Sequence, residues 1–180
     1  MADLAGASDS LLAERAADGD EVAFGVLVRR HGPYLRAFAI RLMGGSADAD
    51  DAVQDALITA WDRLDSLAEP AKVRSWLTTI VSRKATDRLR SRRPTTELDV
   101  EAPSTTPGPE RRAEVTTQLD ALDRILAALP ENQRQCWLLK EVAGYSYDEI
   151  AETLGVSPAV VRGRLARARA TVVTGMEVWR

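Results

Sequence analysis

The chain has 180 residues, with 24 Lys plus Arg, 27 Asp plus Glu, one His, one Cys and a formal net charge of −3. An apolar fraction of 45% beside 28% charged residues excludes a wholly disordered chain, a collagen-like chain and a disulfide scaffold. A single cysteine, Cys136, closes no internal disulfide, no apolar run approaches the roughly 20 residues of a bilayer span, and Met1–Asp20 carries acids without an apolar signal core, so a reducing compartment without membrane attachment or secretion is expected.

Taken in chain order, the first strong pattern is helical. Phe24, Leu27, Val28, His31, Leu35, Phe38 and Leu42 follow one helical face. Gly44-Gly45 ends it, and Ser46 to Asp48 offers a cap for the next helix, whose stripe is Val53, Leu57, Ala60, Trp61 and Leu64. Pro70 interrupts, and Val73, Trp76, Leu77, Ile80 and Val81 resume the pattern. Pro94–Pro109 then holds four of the eight prolines and four threonines. Such a stretch buries too little apolar surface to offset its ordering entropy and reads as linker. Beyond it come Leu119, Leu122, Ile125, Leu126 and Leu129, a stop at Pro130, a helix over Asn132 to Val142, and two short helical patterns split by Gly155. No strand-like alternation of useful length occurs. The expectation is an all-α fold of two small domains, residues 8–93 and 113–175, joined by a Pro/Thr-rich linker over 94–112.

The modest net charge hides segregation. Asp48, Asp50, Asp51 and Asp55 cluster without a base, whereas Arg74, Arg83, Lys84, Arg88, Arg90, Arg92 and Arg93 face one acid, Asp87. Arg162, Arg164, Arg167 and Arg169 form a second basic segment with no acid. Two basic segments in separate domains suit two contacts with a polyanion, because each neutralised phosphate releases counterions. The acidic helix suits a partner with a basic surface. Solvated helix faces would produce any one of these stretches alone.

The sharpest local signal lies in SYDEIAETLGVSPAVVRGRLARARA. Ser146 caps a short helix and Glu149 completes a capping box. Gly155 supplies the left-handed turn, Val156 plugs it, Ser157 caps a second helix and Pro158 takes its first position. This is the pattern of a DNA-binding helix-turn-helix. A helical wheel puts Val161, Leu165, Ala168 and Val172 inward and Ala159, Gly163, Ala166 and Ala170 outward, flanked by Arg162 and Arg169 on one side and Arg164 and Arg167 on the other. Small residues between arginine rails let a helix approach a major-groove floor. An ordinary amphipathic helix with a solvated arginine face is the plainer alternative. A free-standing helix-turn-helix regulator accounts for this half but leaves the acidic helix and the Arg74–Arg93 segment idle. A helical interaction adaptor accounts for neither basic segment, since it predicts no salt-sensitive DNA affinity.

Together, LVRRHGPYLRAFAIRLMG, DADDAVQDALITAW, VRSWLTTIVSRKATDRLRSRR and LPENQRQCWLLKEVAGYSYDEIAETLGVSPAVVRGRLARARA resemble, in order and spacing from Ser10 to Thr171, an extracytoplasmic-function (ECF) sigma factor of the bacterial sigma-70 family. The resemblance implies a cytoplasmic protein that binds core RNA polymerase and directs it to promoters. The first domain would dock on the polymerase clamp and read the −10 element. The second would bind the −35 element and the flap, and the linker would pass through the enzyme. Asp51, Gln54, Asp55 and Ile58 match the clamp-contact positions. Leu67, Ala68, Lys72, Arg74, Arg83, Lys84, Asp87, Arg88 and Arg90 match the −10 region, where an unpaired base is held and the backbone contacted. The family often has Phe where Val73 stands and Asn where Lys84 stands, so the resemblance implies the −10 role but not the −10 sequence preference. Trp61 and Trp76 are expected in the core rather than stacked on bases. Ser157, Arg162, Gly163, Arg164, Ala166, Arg167 and Arg169 match the −35-reading helix, with the small residues leaving more of the reading to arginines or DNA shape. The helices over Leu129 to Val142 match the flap-contact region, with apolar residues serving core and partner together. Members are commonly held inactive by an anti-sigma factor.

No catalytic constellation is present: His31 sits on an apolar stripe and is expected to be structural, Cys136 a small buried residue, and zinc-ligand spacing and phosphate-cradling glycine loops are missing. No cofactor, metal or small-molecule substrate is expected.

Overall fold

Residues 4–45, 47–92 and 118–177 are described in the computed structural model, which divides into two units, one through Arg92 and one from Arg93. Every regular element among them is helical. The predicted linker and the Ser46 cap lie outside the described residues.

The N-terminal unit comprises α1 (Asp9–Ala17), α2 (Glu21–Met43), α3 (Ala47–Asp62), two single 3₁₀ turns (Leu64–Ser66 and Pro70–Lys72) and α4 (Val73–Arg92). Helix α1 was not among the predicted elements. It is short and offers only Leu12, Ala13 and Ala16 as buried residues, too few for a clear period. Its register is set by polar contacts instead. Ser8 caps it, accepting from Leu11 N at 3.2 Å, and the Arg30 guanidinium donates to Asp9 and to the carbonyls of Ala5 and Ala7. His31 is buried with Nε2 2.9 Å from Asp9 Oδ2, in the structural role expected of it. Asp20 caps α2 by accepting from Val22 N and Ala23 N. That helix continues through Pro33 although the ring removes a donor, because Leu27 before it and Leu35 after it are both fully buried.

Helix α3 packs most extensively against α4. The buried residues of α3 are chiefly Ala49, Ala52, Val53, Ala56 and Ala60, and those of α4 are Val73, Leu77, Thr78, Val81, Ser82, Ala85 and Thr86. Small side chains let two helix axes come close. The buried hydroxyls stay satisfied within α4: Thr78 donates to Arg74 O at 2.8 Å, Ser82 to Thr79 O at 2.8 Å and Thr86 to Ser82 O at 2.9 Å. Of the apolar stripe predicted for α4, Val73, Leu77 and Val81 are buried, but Trp76 and Ile80 are only half-buried, and Thr78, Ser82 and Thr86 share the interior in their place.

The C-terminal unit comprises α5 (Gln118–Ala128), α6 (Glu131–Trp137), a π-helical turn (Leu138–Val142), α7 (Tyr147–Leu154) and α8 (Pro158–Met176). The predicted single helix to Val142 widens at its end: Ala143 N donates to Leu138 O at 3.0 Å, Gly144 turns at φ +77, and Tyr145 N returns to Leu139 O. Leu126, Leu129, Cys136, Leu138, Leu139, Tyr145, Ile150, Leu154, Val161, Leu165 and Ala168 make the core. Val172, predicted inward, is half-buried. Toward the end of α8, a Cβ on Gly175 would lie 2.7 Å from Ile125 Cδ1 and 2.9 Å from Cγ1, so α5 closes on bare backbone there.

Gly175→Val is expected to lower the stability of this unit by about 1–3 kcal/mol, read by thermal melting. A second expectation concerns α1. Burial pushes the Asp9 carboxyl up, but the hydrogen bond from Arg30 and the charges of His31 and Arg30 outweigh it, and the group ends below its ordinary 3.8. A carboxyl lowered by folding contributes stability that is complete above the unfolded value and lost as pH falls through the folded one. Asp9→Asn is therefore expected to lower the thermal midpoint at neutral pH and to flatten the loss of stability below 3.8, measured as melting temperature against pH.

Candidate nucleic-acid and protein interfaces

Local chemistry builds the helix-turn-helix. Ser146 Oγ accepts from Glu149 N at 3.2 Å while the Glu149 carboxylate accepts from Ser146 N at 2.8 Å, a complete capping box at the start of α7. Gly155 closes the helix in the left-handed region at φ +66, where a side chain would be strained. Two residues on, Ser157 caps α8 by accepting from Val160 N at 3.3 Å, with Pro158 as its first residue. Ile150, Ala151 and Leu154 of α7 and Val161, Leu165 and Ala168 of α8 are buried, which sets the angle between the helices and turns the opposite side of α8 outward.

On that outer side Ala159, Arg162, Ala166, Arg167, Arg169 and Ala170 are exposed and Gly163 is half-buried. Gly163 is open: a Cβ there would meet only Arg167 Nη1, at 3.7 Å. One predicted rail loses a member: of Arg164 and Arg167, only Arg167 is exposed. Arg164 is only 6% exposed, on the core side of α8, and hydrogen-bonds the buried Cys136 thiol. Burial pushes that thiol up, and the charge and hydrogen bond of Arg164 partly offset the rise. Arg164, expected among the DNA-facing residues, is thus internal in this chain. It lies one turn before the buried Ala168 and next to Leu165, so helical geometry carries it inward with them. Arg169 is exposed but committed: its Nε and Nη2 both donate to Glu141 Oε1, at 3.0 and 2.6 Å. Bonds to Glu141 and Tyr147 hold it more firmly protonated. Of the predicted flap-contact stretch, Leu129, Cys136, Leu138 and Leu139 are core, and Trp137 and Val142 remain half-buried.

In the N-terminal unit, Asp51, Gln54, Asp55 and Ile58 recur at one helical spacing and are all exposed on α3. Beside them Phe24, Val28, Val53, Leu57, Ile58 and Trp61 line an open apolar groove of about 480 Å³ with Asp50 and Gln54 at its edge. Trp61 is half-buried there, its ring 5.2 Å from that of Phe24. Asp50 is held by a two-pronged contact from Arg36, at 2.6 and 3.1 Å.

The residues predicted for −10 reading lie on the 3₁₀ turns and α4. Ala68 and Lys72 are exposed, Leu67 is half-buried, and Lys72 pairs with Glu69 at 2.7 Å. Arg74 lies over the Tyr34 ring of α2, 4.1 Å from its centre. Arg83 is exposed, Lys84 half-buried, and neither forms an ion pair among the described residues. Asp87 and Arg90 are exposed and 4.0 Å apart. Arg88 reaches across to α3, its Nη2 2.6 Å from Asp55 and its Nη1 3.5 Å from Asp51. Sequence reasoning placed Arg88 in one set and the two aspartates in another; the fold joins them. Tyr34 and Glu141 escaped it because their partners are far away in the chain, and no local signal marks them.

A sigma-70 region 2 model matches residues 27–95 and a sigma-70 region 4 model matches residues 119–172. RNA polymerase sigma factor NccH of Alcaligenes xylosoxydans is 38% identical over 169 residues, covering 90% of this chain and 91% of its own. The ECF RNA polymerase sigma factor SigM of Mycobacterium tuberculosis is 39% identical over 165 residues, covering 91% and 82%. The structure of CnrH in complex with the cytosolic domain of CnrY superposes with a TM-score of 0.52 at 32% identity, covering 94% of this chain and 97% of that one. Two sigma-70 regions in this order, on two helical units and with relatives alike along nearly the whole chain, place the protein in the extracytoplasmic-function branch of the sigma-70 family, the factors that bring RNA polymerase to promoters and start transcription.

Proposed function

We propose how the two units divide that task. Residues 8–93 dock core polymerase and engage the −10 element, residues 113–175 engage the −35 element and the flap, and 94–112 tether them. The observation that carries the division is the groove beside α3. An apolar trough edged by Asp50 and Gln54, next to exposed Asp51, Asp55 and Ile58, suits a helical partner with apolar knobs and basic flanks. The clamp helices of polymerase are that partner. On α8, Arg162 and Arg167 flank Gly163 and Ala166, so the helix can lie deep in a major groove with two guanidinium groups reaching guanine edges or phosphates. Ser157, at the N-terminus of α8, faces a phosphate at the entry of that groove, and Arg169 joins the backbone contacts only by leaving Glu141.

In the −10 region, Leu67 and Ala68 line the place of an unpaired base, and Lys72, Arg74, Arg83, Lys84 and Arg90 contact the strand's backbone, with Asp87 orienting Arg90. The Tyr34 stack holds the Arg74 guanidinium at a defined angle for this contact. We also propose an anti-sigma partner: CnrH, similar along nearly the whole chain, was solved with the cytosolic domain of CnrY. The setting is the cytoplasm, where polymerase and promoters are. The chain contributes specificity and no bond-making chemistry of its own; no helix of the described residues is long and apolar enough to cross a membrane.

Core polymerase mixed with the purified chain is expected to initiate from a promoter carrying −35 and −10 elements. Asp55→Arg, which reverses charge beside the groove, is expected to abolish that activity by preventing complex formation, seen as loss of co-elution. Arg162→Ala is expected to cost about 1–3 kcal/mol of promoter binding at unchanged thermal stability if it reads a base. Arg164→Ala is expected to do the reverse, lowering the melting temperature through about 1–3 kcal/mol of lost internal packing and bonding. Wild-type complex formation by Asp55→Arg would refute the docking assignment.

A further inference from the structure

We infer that Arg88 is a positioning residue shared between the two binding functions of the N-terminal unit: in the free protein it neutralises the α3 carboxylates that face polymerase, and the arrival of polymerase cations at those carboxylates releases it toward promoter phosphates. The inference rests on the docking reading for Asp51 and Asp55. It deepens that reading by making polymerase docking and DNA affinity one competition.

The geometry supports competition. Arg88 belongs to α4, yet its guanidinium forks onto two acids of α3 one helical turn apart, 2.6 Å from Asp55 and 3.5 Å from Asp51. The hydrogen bond that Arg88 donates to Asp55, with the charges of Asp55 and Asp51, holds the guanidinium more firmly protonated against the opposing effect of burial. All three side chains remain accessible to a partner, at 33% for Arg88, 64% for Asp51 and 49% for Asp55. Exposed pairs are worth about 0–1 kcal/mol, weak enough for an incoming cation to exchange with one member. A carboxylate accepts from several donors, but a guanidinium bound to two carboxylates presents a locally cancelled charge to phosphate. While the cluster stays closed, the region loses one cation for DNA and polymerase meets α3 acids already partly paired. Opening it serves both partners at once, which is positive coupling between two ligands of one chain. The neighbouring cations Arg83, Lys84 and Arg90 lie on α4 as well, but among the described residues neither Arg83 nor Lys84 forms an ion pair with α3.

The test is a substitution cycle on the full chain, with melting curves to show that each variant folds. Binding to fluorescent oligo(dT) without polymerase reads the phosphate side. Asp51→Asn combined with Asp55→Asn is expected to tighten that binding about threefold to fivefold more in the wild-type background than in an Arg88→Gln background, with the salt slope steeper by about 0.7 only where Arg88 is present. The generic effect of removing two negative charges is the same in both backgrounds, so the difference isolates Arg88. Binding to core polymerase reads the other side. Arg88→Gln is expected to bind core about twofold to fivefold more tightly, because the internal competitor is gone, and Arg88→Lys to stay near wild type. A purely structural Arg88 predicts weaker core binding instead. Equal oligo(dT) gains in both backgrounds, or core binding by Arg88→Gln that is unchanged or weaker, would overturn the inference. Ile58→Asp separates this failure from failure of the docking reading: if it leaves core binding intact, the groove is not the dock, whereas the oligo(dT) cycle contains no polymerase and judges the competition independently.

Discussion

Close packing of α3 on α4 through small side chains is the constraint on which the N-terminal unit depends. Alanines at 49, 52, 56 and 60 bury one face of α3, and Thr78, Ser82, Ala85 and Thr86 bury much of one face of α4. The hydroxyls cost little there because each donates to a carbonyl of its own helix. The buried faces of α3 and α4 turn the charged side chains of both helices to the outside. Asp51, Gln54, Asp55 and Ile58 stand on the exposed side of α3, and Arg83, Arg88 and Arg90 of α4 stand where they reach either solvent or neighbouring acids. A bulky residue at position 56 or 82 would separate the helices and take apart the groove and the Arg88 cluster together.

The C-terminal unit is organised differently. Its last helix is aimed by local chemistry: the Ser146–Glu149 box starts α7, Gly155 reverses the chain, and Ser157 with Pro158 starts α8. Each device is worth about 1 kcal/mol or less, but together they fix where both helices begin. The buried side chains on the facing sides of α7 and α8 then leave one orientation for the face that carries Arg162, Gly163, Ala166 and Arg167. The polar bonds of Arg164 and Arg169 fasten that helix to α6 and to the π-helical turn before α7. Not every arginine of an arginine-rich helix is therefore available to DNA.

Charge in this protein is arranged in pairs as much as in patches. Arg36 with Asp50, Arg74 on Tyr34, Arg88 with Asp51 and Asp55, and Arg169 with Glu141 each hold a cation that composition alone would count as available. Exposed pairs of this kind contribute little to stability. Their larger effect is to set how many cations the free chain offers to a nucleic acid, and hence how much of its affinity appears only once a partner has taken over the acids.

What the amino-acid order determined by itself was local: helix periods, caps, the glycine turn between α7 and α8, the Pro/Thr-rich break in composition, and the segregation of acids from bases. These follow from dihedral preferences and spacing within a few residues, and so did the structural role of His31 and the buried Cys136. Tertiary packing alone decided which side of each helix was inside by small margins. It put Thr78, Ser82 and Thr86 beside Val73, Leu77 and Val81 in the interior of α4 and left Trp76 and Ile80 half-buried, turned Arg164 into the core, and docked α1 through Asp9 where its apolar pattern was too short to read. It also joined Arg88 to Asp55 across 33 residues of chain, and to Asp51 beyond it. A helical wheel resolves only about 100° per residue, and the identity of the neighbouring helix, with the room it leaves, supplies the rest.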